Sequence, residues 1–385
     1  MQFNTFVTST DDLQRCIQAP NLTEVLIEPS LLAREGHLSD EAAQILAVQA
    51  QQQGLRPVLV WDILMPERVL QTIGDRLKTW DLQPFAAIRV CDLGAAGWLA
   101  LRAPEIPLQL IVETGNHNLE ALQGWCAIFG SALERLILSI ELPEDKLIEY
   151  CQVLPIACEI LGVGPILLFY SPRSLLSAHF GTAEEETSVI KAFAAFEDAP
   201  NRHLRTLETV HGTFLFLDKD QFILDRLEAL KAAGLDTVRL DLRHLGDRHN
   251  AAPSVDQICQ QILANPVALR QSWPHETRAP FFKANRTTSL FPRLKSKRFE
   301  TWRDQCLAEV IASEKGKYVV FYTTQAFAIA TAKRLLLPTG EMMDLPADVV
   351  FCSVAGESLE TIETEQLLVT DWVKKTVPGT LLLTD

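Results

Sequence analysis

The sequence predicts a (β/α)8 barrel followed by a small, mostly β C-terminal domain. Three observations carry that expectation. Apolar, β-branched runs alternate with helical stretches over the first two-thirds of the chain, eight such runs can be counted, and short β-like runs with turns follow from about residue 317 onward. The alternation excludes all-α and all-β folds. A doubly wound open sheet shares it and is the alternative, because strand order is not written in one sequence.

The runs are near-continuously apolar, as strands buried on both faces are. They fall at residues 24–27, 57–61, 87–90, 108–112, 136–139, 158–161, 213–217 and 238–241. Helices are expected over 39–53, 118–129 and 220–233, stopped by Gly54, Gly130 and Gly234 in the position where a left-handed residue ends a helix. Pro143-Glu144-Asp145 reads as a helical first turn, its acids complementing the helix dipole. The sixth and seventh runs stand about 55 residues apart, roughly twice the usual interval. That stretch holds Tyr170-Ser171-Pro172-Arg173-Ser174 and a polar helix from about Glu184, and on a barrel an oversized βα loop lies at the functional rim. Residues 249–253 read as a linker and 254–268 as a covering helix. The C-terminal runs are 318–322, 349–351 and 379–383, with a turn at Pro338-Thr339-Gly340. The expected division is a barrel over 1–275, then a basic linker and β-rich domain over 276–385.

Composition narrows the function classes. With 385 residues, 48% hydrophobic and 22% charged, the chain can bury a sizeable core and is neither disordered nor collagenous. A net charge of −14 argues against a surface-wide polyanion site and leaves room for a local basic patch. The opening Met1-Gln2-Phe3-Asn4 lacks a basic region and apolar core, and the longest apolar run, 154–170, carries Glu159 and two prolines. The expected localisation is cytoplasmic, without a membrane anchor. Eight cysteines without a CxxC pair are then expected to be reduced, mostly buried thiols.

A barrel places its chemistry where strands end. The strand-end residues are Glu28, Asp62, Asp92, Glu113, Glu141, Tyr170 with Arg173, Asp218, and Asp241 with Arg243, while Arg89 and Arg239 lie inside strands. Any one acid there can simply cap the next helix, but the ensemble describes a charged mouth. Arg173, Arg239 and Arg243 are expected on one rim, offset by Glu141, Glu159 and Asp241, gripping a small carboxylate or phosphate. Tyr170 and Ser171 complete this candidate ligand site. Gly162-Val163-Gly164 lacks the third glycine of a dinucleotide loop, and no GxSxG, HExxH or P-loop is present. Cys151, Cys158, His203 and His211 suggest no ligand spacing, so no metal and no cofactor are expected. Residues 280–303 instead gather Lys283, Arg286, Arg293, Lys295, Lys297, Arg298 and Arg303 among Phe281, Phe282, Phe291 and Trp302. Cations interleaved with aromatics suit RNA, with Arg293, Lys295, Lys297 and Arg298 as contacts; the bland reading docks the aromatics onto the barrel.

The segment Tyr170-Ser171-Pro172-Arg173-Ser174-Leu175-Leu176-Ser177 resembles the YSGRCLLS-type segment of the collagenase-like peptidase family U32. Glu141-Leu142, Glu159, the stretch from Gly212-Thr213-Phe214 to Lys219-Asp220, and Arg239-Leu240-Asp241-Leu242-Arg243 resemble further family motifs, and Phe281-Phe282-Lys283-Ala284-Asn285 a linker of some members. The resemblance covers about residues 20–300 and implies a barrel. It also implies kinship with iron–sulfur proteins that hydroxylate RNA bases or quinone precursors without oxygen. The cluster cysteines of those proteins correspond here to Leu167, Ser174 and Phe222, and no cysteine lies between Cys158 and Cys259. The expected function is therefore family-like hydroxylation without an intrinsic cluster, which a partner of the same family would supply. A non-catalytic binding or scaffold subunit is the alternative. Peptidase activity is the weakest reading, since no nucleophile–base or metal arrangement is visible.

Overall fold

The computed structural model describes residues 1–113, 117–177, 189–196, 199–247, 254–283, 302 and 304–384. The chain divides into two compact units, Met1–Asn285 and Arg286–Asp385.

In the first unit the strands are β1 (Gln2–Val7), β2 (Leu22–Ile27), β3 (Arg56–Trp61), β4 (Ala87–Val90), β5 (Leu108–Ile111), β6 (Leu133–Ile137), β7 (Ala157–Ser171), β8 (Ile190–Phe196), β9 (Ala199–Thr209), β10 (Gly212–Phe222) and β11 (Thr237–Leu240). β1 to β7 pair in sequence order, all parallel. β11 pairs with both β7 and β1, which closes an eight-stranded parallel barrel and excludes the open sheet. Around it stand α1 (Thr10–Ile17), α2 (Asp40–Gln52), α3 (Glu67–Leu77), α4 (Leu93–Arg102), α5 (Leu119–Phe129) and α6 (Glu144–Val153), with α7 (Leu227–Ala232), α8 (Val255–Ala264) and α9 (Pro266–Gln271) later in the chain. Ser9, Ser39, Asp92 and Asn118 each accept a backbone N–H from the first turn they open, which fixes where four of the helices start.

Eight is the right number with one member exchanged. The barrel begins at β1, a strand that its polar Asn4 and Thr5 hide from an apolar pattern search. Both side chains are buried, and Thr5 donates to the Leu240 carbonyl at 2.7 Å. The run at 213–217 belongs instead to β10, which pairs antiparallel with the outer half of β7. The 15-residue β7 therefore does two jobs: its first half is a barrel stave between β6 and β11, and its second half leads an antiparallel extension with β10, β9 and β8. The oversized loop is this extension. Pairing with β7 also holds Asp220–Phe222 in a strand, so the helix expected over 220–233 shortens to α7. The helix expected near Glu184 and the linker at 249–253 lie outside the described residues.

Strand alternation sorts the side chains into two compartments. Val25, Ile27, Leu59, Trp61, Ile88 and Val90 join the main core, which includes helical residues such as Leu46, Ile73 and Leu99. Their neighbours Leu26, Val58, Val60 and Ala87 form a separate small cluster with Phe6. Gly162 and Gly164 are close-packing residues rather than a phosphate loop. A Cβ on Gly164 (φ +147°) would lie 2.6 Å from Asp241 Cβ, and one on Gly162 would strike Val238.

Among the described residues the second unit is mostly β, with one 3-10 turn at Ile329–Thr331. Seven antiparallel strands run in the order 342–344, 334–336, 381–383, 306–314, 318–323, 367–371 and 352–353. The run expected at 349–351 is not a strand; its Phe351 is buried and meets Phe321 edge-on at 5.6 Å. No helix among the described residues is long and apolar enough to cross a membrane.

Candidate functional site

The barrel interior is charged. Glu159 on β7, fully buried, accepts from Arg89 Nη1 at 2.8 Å and Nη2 at 2.6 Å and from Asn4 Nδ2 at 2.8 Å. Arg135 reaches Glu24 and, at 3.4 Å, Glu159. Gln109 links Arg89 to Glu134, and Arg56 bridges Glu24 at 2.7 Å and Glu134 at 2.8 Å. Burial pushes the Glu159 carboxyl upward, but the charges of Arg89, Arg239 and Arg135 outweigh it and hold the group below its ordinary value. This floor layer sets Glu24, Glu134, Glu159 and Asp236, 3.4 Å from Arg135, against Arg56, Arg89, Arg135 and the Arg239 that reaches Glu159.

Above the floor, at the carboxyl ends of the strands, lies a cavity of about 450 Å³. That size suits a small-molecule or single-nucleotide ligand. Its lining carries six carboxyls (Glu28, Glu35, Asp62, Glu113, Glu141, Asp241) and four guanidiniums (Arg34, Arg89, Arg239, Arg243). Arg239 pairs with Glu113 and stands 3.5 Å from Glu159. Arg243 donates from Nη1 to both Glu28 oxygens at 2.8 Å and from Nε and Nη2 to Asp241 at 2.9 and 2.7 Å, lies 3.4 Å from Glu35, and covers the Phe6 ring at 3.7 Å. One guanidinium cannot neutralise three carboxylates. Burial raises both acids, but Arg243 overrides it at Asp241, whose pKa falls to about 2, whereas at Glu28 burial wins and the pKa is pushed up to about 8. Burial thus favours the neutral form of Glu28 and makes it the candidate proton donor of the mouth.

Arg34 differs from its neighbours. Its backbone N–H and Nε hold Asp62 at 2.8 and 3.0 Å, while its terminal Nη groups have no acceptor among the described residues. Tyr170 sits between Arg34, 5.2 Å from its ring centre, and Phe214, stacked at 4.9 Å, and its hydroxyl donates to the His211 carbonyl at 2.9 Å. Leu168 and Phe169, 46% and 47% exposed, give the cavity an open apolar wall.

The structure brings Glu141, Tyr170, Arg239, Asp241 and Arg243 to one cavity, with Glu159 immediately beneath. Ser171 is buried in the extension, where its Oγ accepts from the Arg173 N–H at 3.3 Å. Arg173 is exposed there and does not line the cavity, so the expected three-arginine rim does not form. β7 and β11 are direct neighbours, and the offsets differ from those expected: Glu113 and Glu159 serve Arg239, Glu28 and Asp241 serve Arg243, and Glu141 lies 3.5 Å from His117. Asp92 caps α4. Arg34, Arg135 and Glu24 went unrecognised as site residues; Arg135, a cation inside an apolar strand like Arg89, carried the same signal. Arg293, Lys295, Lys297 and Arg298 lie outside the described residues.

An iron–sulfur cluster needs several thiolates. Among the described residues the cavity is lined by one thiol, Cys91, which donates to the Asp62 carbonyl at 2.8 Å and whose pKa burial pushes up to about 12. That donor set does not fit a cluster.

Fold and site define a parallel (β/α)8 barrel with a charged, ligand-sized mouth. Residues 29–277 match the sequence model of peptidase family U32, and the chain belongs to that family. It is 28% identical over 145 residues to the tRNA hydroxylation protein P2 of Bacillus subtilis, covering 36% of this chain and 46% of that protein. It is 24% identical over 264 residues to the tRNA hydroxylation protein P of Haemophilus influenzae, covering 56% of each. The chain thus spans about half the length of these curated relatives. A solved U32 peptidase structure aligns with 66% of this chain and 94% of its own at 10% identity and a TM-score of 0.38.

Proposed function

We propose that this chain takes part in the hydroxylation of a tRNA base, and that the barrel mouth receives the base. The observation that carries this reading is the unbalanced lining of the cavity. Arg34 offers guanidinium donors without acceptors, the carboxyl excess asks for N–H or O–H donors, and Leu168 and Phe169 offer an apolar face. A flipped nucleobase supplies carbonyl oxygens, ring N–H groups and a π-face together. A small carboxylate or phosphate would use the Arg34 end alone. Glu28, whose neutral form burial favours, is the candidate proton donor. The redox chemistry would come from a partner of the same family that carries the cluster, and the cations of residues 280–303 would hold RNA phosphates, making association salt-dependent. The names of the two relatives support the tRNA assignment.

The test is mass spectrometry of nucleosides from tRNA of cells lacking this chain. A hydroxylated nucleoside should disappear, return with the wild-type gene, and stay absent with Arg34→Ala. An unchanged nucleoside profile in the deletion strain overturns the proposal.

A further inference from the structure

Three polar side chains outside the mouth converge from distant parts of the first unit. Asp220 lies near the end of β10, His244 in the turn after β11, and His275 beyond α9. Asp220 Oδ2 is 2.8 Å from His244 Nε2, 2.9 Å from Trp273 Nε1 and 3.2 Å from His275 Nδ1. Asp220 and His244 are buried, at 4% and 5% exposure, and one ligand atom from each of the three residues falls within 4.8 Å of the others.

The Trp273 indole nitrogen always carries its hydrogen and donates to Oδ2. Each imidazole can turn either a hydrogen or a lone pair toward that oxygen, according to its tautomer. With lone pairs turned inward, two nitrogens and an oxygen converge on one buried point, which is the arrangement a cation takes. Two imidazoles and a carboxylate are ligands that zinc and its neighbours take, and an N–H that steadies the carboxylate is the usual outer-shell support. Ligands about 2.0–2.1 Å from a tetrahedral ion stand roughly 3.3 Å apart, so the two contacts to Asp220 need open by no more than about half an ångström, and the two imidazole nitrogens lie within 4.8 Å of each other.

We propose that Asp220, His244 and His275 bind one divalent transition-metal ion of the zinc class. The ion ties the end of β10 and the segment after α9 to the turn that begins at Arg243. It is a structural site, independent of the proposed tRNA role.

The experiment uses the full chain stripped with chelator and titrated with zinc chloride by calorimetry, then with cobalt chloride by visible absorption. The expected result is one equivalent bound with a raised Tm and a tetrahedral cobalt spectrum. His275→Gln, the least buried change, should weaken binding at least ~100-fold and remove the spectrum while circular dichroism stays native. Asp220→Asn should act likewise; if it does not fold, the His275→Gln spectrum still decides. Absence of stoichiometric binding to the wild type overturns the proposal, as does affinity unchanged in a folded His275→Gln protein.

Discussion

Floor and mouth of the barrel are built from the same residue types and behave oppositely. In the floor four acids, Glu24, Glu134, Glu159 and Asp236, face the guanidiniums of Arg56, Arg89, Arg135 and Arg239, and Glu159 alone takes two bonds from Arg89 and one from Asn4. In the mouth the acids outnumber the guanidiniums, burial drives Glu28 toward its neutral form, and Arg34 keeps unused donors. A buried charge lattice persists only when it is balanced, so the floor reads as structure. The imbalance above it is tolerated where a ligand completes it, which is what the proposed binding at the mouth rests on.

The largest way to break the comparison is to unbalance the floor. Glu159→Gln leaves Arg89 with a neutral partner and should cost about 3–5 kcal/mol, as losing one member of a buried pair does. Denaturant unfolding reads this directly; a loss below ~1 kcal/mol would erase the distinction.

Arg239→Lys and Arg243→Lys come next. Both guanidiniums are filled by carboxylates, so lysine should lower Tm by several degrees, through the lost second contact, more than it alters ligand affinity. Arg34→Lys should do the reverse. Its Tm should fall less, since it pairs with the single carboxylate Asp62, while binding of a short single-stranded RNA falls about tenfold, the loss of one charge-assisted bond. If Arg34→Lys and Arg239→Lys behave alike, the mouth has no division between scaffold and ligand site.

A smaller effect should appear with pH. Glu28 titrates at about 8 in the folded chain against an ordinary 4.5, so between those values the folded state holds a proton that the unfolded state has released. Stability must therefore fall as pH rises through that window. Tm measured from pH 5 to 9 should decline more steeply for wild type than for Glu28→Gln, whose side chain no longer titrates. Identical slopes would show that Glu28 is ionised throughout. Last, the exposed pair Arg76–Asp40 on the helical ring, at 2.8 Å, should contribute no more than ~1 kcal/mol, which Arg76→Ala and unfolding would measure.

The sequence by itself determined the alternation of strands and helices, which predicts the barrel and leaves the open sheet as its alternative until β11 is seen to pair with β1. Apolar periodicity and caps such as Ser39 and Asn118 are local signals that survive without tertiary context. It also placed Glu141, Arg239, Asp241 and Arg243 at the mouth, because a parallel barrel sends every strand end to one face. It misassigned two strands for physical reasons. β1 is polar because its Asn4 serves the interior network, and β10 is as apolar as a barrel strand yet has an antiparallel partner that no local pattern announces. Partnership was decided by tertiary structure alone. Arg89 meets Glu159 across 70 residues, Arg243 meets Glu28 across 215, and Asp220, His244 and His275 share no motif spacing. Which charge offsets which depends on strand order and on the curvature that brings distant strands face to face across the barrel, and a linear pattern encodes neither.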